Sequence, residues 1–330
     1  MNHNLLNIAI ITGGNVAERP VSLKSAATVA QHLDDAKYRK FILELNGTRF
    51  CDQSTGLPVD LNDFSLPGAN GERVHFDLAY LILHGHPAED GRLQGYLELM
   101  GIPYTGCDPL VSALTFDKQA CKRFLRAQDI PMAPSHIVYQ GQAYDNIALL
   151  KMGLPLFVKP NKNGSSFGVS KVNHADGLDA AIEKAFGFDD EVLVEGFLDG
   201  REFSNGVFRR NGEIVVLPVT EIISYNEFFD YQAKYEQQSK EVTPAELSPA
   251  LAQKCQEQTR RIYAALGCRG ICRFDYILVE DTFYFLEANT IPGMSAASIV
   301  PQQAAAFGIS LSALLDAAVD EARTTRSRIL

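Results

Sequence analysis

The chain has 330 residues, of which 46% are hydrophobic and 21% charged, a composition typical of a globular protein with about two or three domains. Its formal net charge of −10 argues against a nucleic-acid scaffold, which needs a basic face to neutralise phosphates. A local cluster of lysines that binds a nucleotide stays compatible with this charge.

The first third of the chain alternates strand-like and helical segments, which predicts a parallel sheet with helices on its faces. The segments are the strands Leu5–Thr12, Lys40–Leu45 and Asp77–Leu83 and the helix Val21–Leu33. In such sheets, ligands bind beyond the carboxyl ends of the strands, where Glu18 and His84 lie. They could hold a small polar ligand, but a surface carboxylate and a helix-capping histidine fit the pattern as well.

A small α+β unit is predicted after the prolines at residues 130–134. A helix at Asp117–Ala127 precedes it, and its own elements are the strands Leu154–Val158, Glu191–Phe197 and Glu202–Phe208 and the helix Ala175–Phe186. The loop 161–169 contains Gly164-Ser165-Ser166-Phe167-Gly168 but lacks the lysine and helix of a Walker loop. Its N–H and hydroxyl groups could bind phosphate beside Lys159, and the alternative is a plain hairpin turn.

Four more charged residues lie in segments that could close on the same nucleotide. Lys118 and Lys234 could contact its phosphates, although each alone is typical of a solvated lysine. Glu195 and Glu202 flank a turn where carboxylates could receive ribose hydroxyls, or could only improve solubility. Lys234 falls within the polar, aromatic-rich segment Ser224–Lys240, whose length predicts a mobile functional loop.

Near the carboxyl terminus, two apolar stretches within residues 274–286 flank an acidic turn and predict a hairpin. Because side chains alternate faces along a strand, four polar residues are predicted to converge at one end: Arg273, Asp275, Glu287 and Asn289. Hard oxygen ligands and an arginine suit Mg²⁺ that carries substrate phosphates. The competing interpretation is a hairpin with solvated acidic edges.

The six cysteines are scattered, and the closest pair in sequence, Cys268 and Cys272, has no matching histidine or cysteine cluster. A zinc site is therefore not expected. Isolated cysteines without a signal peptide indicate reduced thiols, and no apolar stretch approaches a membrane-spanning length. We expect a cytoplasmic protein that binds neither membrane nor nucleic acid.

A series of colinear motifs resembles the D-alanine–D-alanine ligases of the ATP-grasp superfamily, from about residue 7 to about residue 320. The motifs are Gly13-Gly14 through Glu18 with Val21-Ser22-Leu23, 89–95, 101–106, Asp117-Lys118, Val158-Lys159-Pro160, Gly164-Ser165-Ser166, 230–235, and Glu287-Ala288-Asn289-Thr290 with Pro292-Gly293-Met294. Three residues depart from the usual family pattern, namely Val16, Ala88 and Phe229. We expect them to alter loop packing and not the chemistry.

The resemblance implies a role for each candidate residue. Lys118, Lys159 and Lys234 would bind the ATP phosphates, and Glu195 and Glu202 would contact the adenosine. Mg²⁺ would be bound by Asp275, Glu287 and Asn289. Two Mg²⁺ ions are expected, with Mn²⁺ as a substitute. Glu18 would hold the first D-alanine's ammonium in a hydrogen-bonded triad with Ser165 and Tyr235. The oxyanion donors would be Arg273 and the Gly293 N–H, and the substrate-carboxylate contacts His84 and Ser298.

The implied fold is ATP-grasp, with mixed α/β and α+β architecture. A Rossmann-like parallel-sheet domain is expected at residues 1–115, a central α+β domain at 116–205, and a C-terminal sheet domain with the Mg²⁺ and oxyanion site at 206–330. The implied reaction is ATP-dependent ligation of two D-alanine molecules through an acyl phosphate, which releases ADP and phosphate, for peptidoglycan precursor synthesis. A homodimer is expected.

Two other functions compete with this one. Another ATP-grasp ligase, acting on a different acid, would share the nucleotide-binding residues. The residues around the acid, Glu18, His84 and Ser298, are therefore the ones that distinguish the two functions. A non-catalytic nucleotide-binding module would not need the complete ligand set of Asp275, Glu287 and Asn289, nor Arg273.

Overall fold

A computed structural model describes residues 5–14, 18–68, 71–164, 167–224 and 239–326. The strands are β1 (Leu6–Gly13), β2 (Tyr38–Asn46), β3 (Arg49–Asp52), β4 (Leu66–Pro67), β5 (Arg73–Val74), β6 (Leu78–Leu81), β7 (Ser135–Tyr139), β8 (Leu156–Pro160), β9 (Ser170–Val172), β10 (Glu191–Gly196), β11 (Arg201–Arg210), β12 (Glu213–Ser224), β13 (Ser239–Val242), β14 (Cys272–Val279) and β15 (Thr282–Asn289). The helices are α1 (Arg19–His32), α2 (Arg92–Leu99), α3 (Pro109–Phe116), α4 (Lys118–Arg126), α5 (Asn146–Leu150), α6 (Leu178–Phe186), α7 (Pro249–Leu266), α8 (Ile299–Phe307) and α9 (Leu311–Arg326), with a 3₁₀ turn at Ala175–Gly177. Within these ranges no helix has the length and apolar character to cross a membrane.

The first sheet has the strand order β3-β2-β1-β6, and β1 pairs in parallel with both β2 and β6. Its central strand is buried on both faces, with Ile8 and Ile11 fully inaccessible, as expected of a parallel strand covered on both sides. The predicted parallel sheet is therefore confirmed, with β3 as an antiparallel edge strand. Glu18 lies beyond the carboxyl end of β1 and His84 beyond that of β6.

The C-terminal helix α9 packs on this first sheet, although it lies at the other end of the chain. Leu314, Leu315 and Val319 are fully buried and belong to the same hydrophobic core as β1 and β6. Lys37 also bonds to Asp316 at 2.6 Å across this junction. The two ends of the chain thus share one core, a contact that the sequence did not indicate.

The second sheet has the order β7-β10-β8-β9 with all pairs antiparallel, and α6 covers it with a separate apolar core. The predicted small α+β unit is therefore present, but the predicted strand Glu202–Phe208 does not belong to it, because that segment pairs in the third sheet. The glycine-serine loop joins β8 to β9, so it connects two strands as predicted. Ser165 and Ser166 of this loop lie outside the described residues.

The third sheet has the order β13-β12-β11-β14-β15, and α7 packs against it. The predicted hairpin is present as β14 and β15, and Glu280 in its turn has a φ of +53°. Because β11 pairs only within this sheet, we propose a domain division between Gly196 and Arg201, in place of one after residue 205. β12 ends at Ser224 and β13 begins at Ser239, so most of the predicted mobile loop lies outside the described residues.

One sequence expectation is wrong. Cys268 and Cys272 do have a matching thiol, because Cys107 folds against them and the three sulfur atoms lie within 4.8 Å of one another. Cys107 is more than 160 residues away from the pair in sequence, which is why spacing alone could not reveal it.

Candidate active site

A cavity of about 780 Å³ lies where the three sheets meet. All the predicted site residues that the structure describes line it: Glu18, His84, Lys118, Lys159, Glu195, Glu202, Arg273, Asp275, Glu287, Asn289, Gly293 and Ser298. The other three predicted site residues, Ser165, Lys234 and Tyr235, lie outside the described residues. The fold therefore brings charged groups from distant parts of the sequence into one space.

Two lysines and a glutamate form a buried ion-paired cluster in one wall. The Nζ of Lys159 lies 2.5 Å from Oε2 of Glu195, and the ammonium of Lys122 bonds to Oε1 of the same carboxylate. Burial alone would raise the pKa of Glu195, but the two ammonium groups outweigh it and hold the pKa at about 2. Burial would lower the pKa of Lys159, but Glu195 and Glu287 raise it above its ordinary value. Lys159 and Glu195 therefore stay charged together.

Sequence analysis missed Lys122. Its side chain is 1% exposed and does not line the cavity, so it can reach a ligand only through Glu195 and Lys159. The available signal was its spacing: Lys118 and Lys122 are four residues apart, which places them on one face of α4.

Lys118 stands at the start of α4, beside the loop that leaves β8. Asp117 caps the helix by accepting a hydrogen bond from the Ala120 N–H. The Nζ of Lys118 donates to the carbonyl oxygen of Asn163 at 2.5 Å, so the lysine is held against the glycine-serine loop. Burial lowers the pKa of Lys118, and the negative charge of Glu287 opposes this only in part.

The end of the β14–β15 hairpin carries the predicted oxygen donors. The strand register places Asp275 opposite Glu287 and Arg273 opposite Asn289, so all four residues share one face. The Arg273 guanidinium donates to both oxygens of Asp275, at 3.0 and 2.7 Å, and Ser204 Oγ donates to the same carboxylate at 2.5 Å. Burial would lower the pKa of Arg273, but Asp275 raises it.

This donor set fits Mg²⁺. Two carboxylates and an amide oxygen are the hard ligands that the ion prefers, and three protein ligands leave positions for phosphate oxygens and water. Asp275 is 4% exposed and already bonded to Arg273, so an ion would compete with the guanidinium for this carboxylate. Asn289 Oδ1 accepts from the Ile291 N–H at 3.0 Å, which orients the amide.

One side of the cavity is apolar. Phe157 and Phe197 lie with ring centroids 5.9 Å apart, and Ile277 and Leu286 line the same cavity. Glu202 is the cross-strand partner of Ile277. A flat apolar surface next to a carboxylate suits a nucleobase and its ribose. Sequence analysis missed these apolar residues because they have the pattern of ordinary core positions.

The opposite end is built from the first domain. Glu18 is 6% exposed, and a Cβ at Gly164 would lie 2.5 Å from its Oε1, so the carboxylate lies directly against the glycine-serine loop. Ser22 Oγ accepts from the His84 N–H at 3.0 Å and fixes the backbone there. His84 is also 6% exposed, and its buried Nε2 has no hydrogen-bond partner among the described residues. Such an atom needs a ligand or water to satisfy it.

Gly293 and Ser298 come together at the same end. A Cβ at Gly293 would lie 2.9 Å from Ser298 Oγ, so the backbone of Gly293 lies directly against this hydroxyl. Ser25 on α1 accepts from the Met294 N–H at 3.1 Å, which ties this loop to the first domain. The sequence predicted both residues, and the structure places them beside each other.

Two antiparallel sheets thus enclose a nucleotide-sized cavity, with Lys159 on one sheet and the oxygen donors on the other. A fold and a site of this kind define an ATP-grasp ligase. Solved structures of ligases have the same fold.

Comparisons with known proteins give the particular family. Residues 7–107 match the family described as D-ala D-ala ligase N-terminus, and residues 124–320 match D-ala D-ala ligase C-terminus. A D-alanine–D-alanine ligase of Bacteroides fragilis is 46% identical over 311 residues, covering 92% of this chain and 95% of that relative. The chain belongs to the D-alanine–D-alanine ligase family.

Two solved structures illustrate the likeness in three dimensions. The VanG D-Ala:D-Ser ligase from Enterococcus faecalis is 33% identical with a TM-score of 0.86, covering 97% of this chain and 100% of that one. The D-alanine–D-alanine ligase from Bacillus anthracis complexed with ATP is 32% identical with a TM-score of 0.81, covering 99% of this chain and 100% of that one.

Proposed function

We propose that this chain joins two D-alanine molecules into D-alanyl-D-alanine at the expense of ATP, as a step in peptidoglycan precursor synthesis. The observation that carries the proposal is the single cavity, in which nucleotide-binding cations, oxygen donors and an amino-acid-sized polar end face one another. Family membership over nearly the whole chain supports it.

In the first step, the carboxylate of one D-alanine attacks the γ-phosphorus of ATP, giving an acyl phosphate and ADP. Phosphoryl transfer depends mainly on positioning and on neutralising charge. The site therefore needs lysines and no nucleophilic side chain of its own. Lys118 and Lys159 line the cavity and would bind the phosphates, together with Lys234. Asp275, Glu287 and Asn289 would hold Mg²⁺, for which Mn²⁺ would substitute. Either ion would neutralise phosphate charge when bound.

In the second step, the amine of the other D-alanine attacks the carbonyl carbon of the acyl phosphate. The amine loses a proton, and phosphate leaves as the tetrahedral intermediate collapses to the peptide bond. The oxyanion of this intermediate would accept hydrogen bonds from Arg273 and from the Gly293 N–H. Arg273 holds Asp275 through Nε and one terminal nitrogen, and the guanidinium N–H groups that this contact does not use would donate to the oxyanion.

The proposed substrate end contains a buried carboxylate and, among the described residues, a buried imidazole nitrogen without a hydrogen-bond partner. Glu18 would receive the ammonium of the first D-alanine, because a buried carboxylate gains most from a cationic partner. The unpartnered Nε2 of His84 would contact a substrate carboxylate, with Ser298 on the other side of the same end. Ser165 and Tyr235 would complete the triad with Glu18 and close the site against water.

Three further properties belong to this proposal. We propose a homodimer, as the resemblance implies. We place the protein in the cytoplasm, which suits its six free cysteines. The acceptor is the finer point: the VanG relative is named a D-Ala:D-Ser ligase, so D-serine must be tested beside D-alanine.

A product assay with ATP and Mg²⁺ tests the proposal. We expect ADP release that requires D-alanine, is absent with L-alanine, and yields D-alanyl-D-alanine in equimolar amount. Competition at fixed pH between D-alanine, D-serine and D-lactate then assigns the acceptor, and we expect the dipeptide to dominate. Predominant formation of D-alanyl-D-lactate or D-alanyl-D-serine would show that the assignment of D-alanine as the acceptor is wrong. No turnover with any amino acid would instead support a nucleotide-binding module.

A further inference from the structure

Three buried thiols meet at a place that the proposed reaction does not use. Cys107, Cys268 and Cys272 are each at most 2% exposed, and their sulfur atoms lie within 4.8 Å of one another. Cys107 Sγ is 3.8 Å from Cys272 Sγ. None of the three lines the active-site cavity. Within the described ranges, no other set of histidine, cysteine or acidic residues meets the same distance criterion.

The backbone is built to bring these thiols together. Gly270 lies between the two cysteines of the C-terminal domain, and its φ is +63°. A Cβ on Gly270 would lie 2.7 Å from the Cα of Gly106, so the segment before Cys107 and the turn after Cys268 touch backbone to backbone. Only glycine allows this approach, and it fixes the relative position of the two cysteine-bearing segments.

The backbone of Arg269 holds two of the sulfur atoms in place, and one of its contacts is a hydrogen bond that a thiolate would accept. The Arg269 N–H donates to Cys107 Sγ at 3.5 Å. The thiols of Cys107 and Cys272 both donate to the Arg269 carbonyl oxygen, at 3.5 and 3.7 Å. One backbone unit therefore orients two sulfur atoms, and its N–H would stabilise negative charge on one of them, as N–H donors do around metal-bound sulfur.

We propose that Cys107, Cys268 and Cys272 form a three-sulfur binding site for a soft, thiophilic metal ion of the Cu(I) type. Sulfur atoms bound to one ion at about 2.3 Å lie roughly 4 Å apart, close to the separation seen here. Coordination releases the thiol protons to solvent and needs only small side-chain rotations.

The ligand set selects the kind of ion. Structural zinc sites are closed by four protein ligands, and the described residues supply three sulfurs with no histidine or carboxylate in the group. Soft thiolates favour Cu(I), and a buried three-sulfur site has no room for hydrated Mg²⁺. An ion here would link the end of the first domain to the start of β14, where Cys272 precedes Arg273.

Copper competition under anaerobic, reducing conditions tests the site. The full-length protein is titrated against Cu(I) held by the chromophoric chelator bicinchoninate, and the transfer of copper is followed by absorbance. We expect one Cu(I) per chain. Cys107→Ala should weaken binding by more than about 100-fold, because loss of a second-shell group alone costs about 10–100-fold. The matched control is Cys255→Ala, a fully buried cysteine outside the cluster, which should bind Cu(I) as the unmodified protein does.

X-ray absorption of the Cu(I)-loaded unmodified protein gives a readout that needs no variant. Three sulfur neighbours around copper support the site even if Cys107→Ala fails to fold. The proposal is overturned if the unmodified protein takes no Cu(I) from the chelator, if copper has fewer than three sulfur neighbours, or if folded Cys107→Ala binds as tightly as Cys255→Ala. Since neither readout measures ligase activity, failure here leaves the proposed function unaffected.

Discussion

Replacing Lys122 with methionine should weaken ATP binding, even though Lys122 does not line the cavity. The lysine is buried beneath Glu195 and neutralises one oxygen of that carboxylate, while Lys159 neutralises the other. Without Lys122, the whole charge of Glu195 falls on Lys159. The Lys159 ammonium is then held more tightly by the protein and is less available to a phosphate.

The pKa of Glu195 sets the size of this effect. A fall from the ordinary 4.5 to about 2 corresponds to about 3 kcal/mol in favour of the ionised carboxylate, at about 1.4 kcal/mol per pH unit. If the two lysines contribute equally, losing Lys122 costs roughly half of this. We therefore expect roughly a tenfold rise in KM for ATP with little change in kcat.

The same cluster gives the pH dependence of stability. Because the pKa of Glu195 is depressed in the folded protein, its stabilising contribution is present above about pH 4.5 and is lost as the pH falls towards about 2. In Lys122→Met this pKa moves back towards 4.5, so acid unfolding should begin at higher pH. Circular dichroism follows the transition, since the chain contains no tryptophan.

Two controls make the test specific. Lys151→Met removes an exposed lysine of the same domain and should leave both the KM for ATP and the acid transition unchanged. Glu195→Gln combined with Lys122→Met should cost less than the sum of the single changes, because the two side chains act on each other. An unchanged KM for ATP in folded Lys122→Met, or strict additivity in the double variant, would refute the reasoning.

Three other changes test the remaining charged groups. Glu287→Gln should abolish turnover with an unchanged thermal unfolding midpoint, because a predicted Mg²⁺ ligand is lost; full activity at ordinary Mg²⁺ would remove this role. Arg273→Ala should lower kcat by about 10²–10³, and a change confined to the KM for ATP would assign the guanidinium to phosphate binding. Because burial lowers the pKa of Lys118, kcat/KM for ATP should fall with rising pH before the ordinary lysine pKa of 10.5 is reached. Lys118→Arg should move this alkaline limb to higher pH, and an unmoved limb would contradict the assignment.

The elements that the sequence predicted are those built from local patterns. The β14–β15 hairpin follows from two apolar stretches around an acidic turn, and its alternation placed Arg273, Asp275, Glu287 and Asn289 on one face. The parallel first sheet follows from its alternating strands and helices. Glu18 and His84 follow strand ends, which is where ligands bind in such sheets. Each of these features needs only neighbouring residues to be specified.

Tertiary structure alone decided the contacts between distant segments. In the sequence, Lys122 is one lysine of a charged helix. Only the folded chain brings it to Glu195, which lies on a strand more than 70 residues later. Cys107 meets Cys268 and Cys272 only because Gly106 and Gly270 touch. The last helix packs on the first sheet through leucines that would suit any apolar core. Periodicity fixes which face of an element is apolar or charged, but the partner of that face depends on how the whole chain packs.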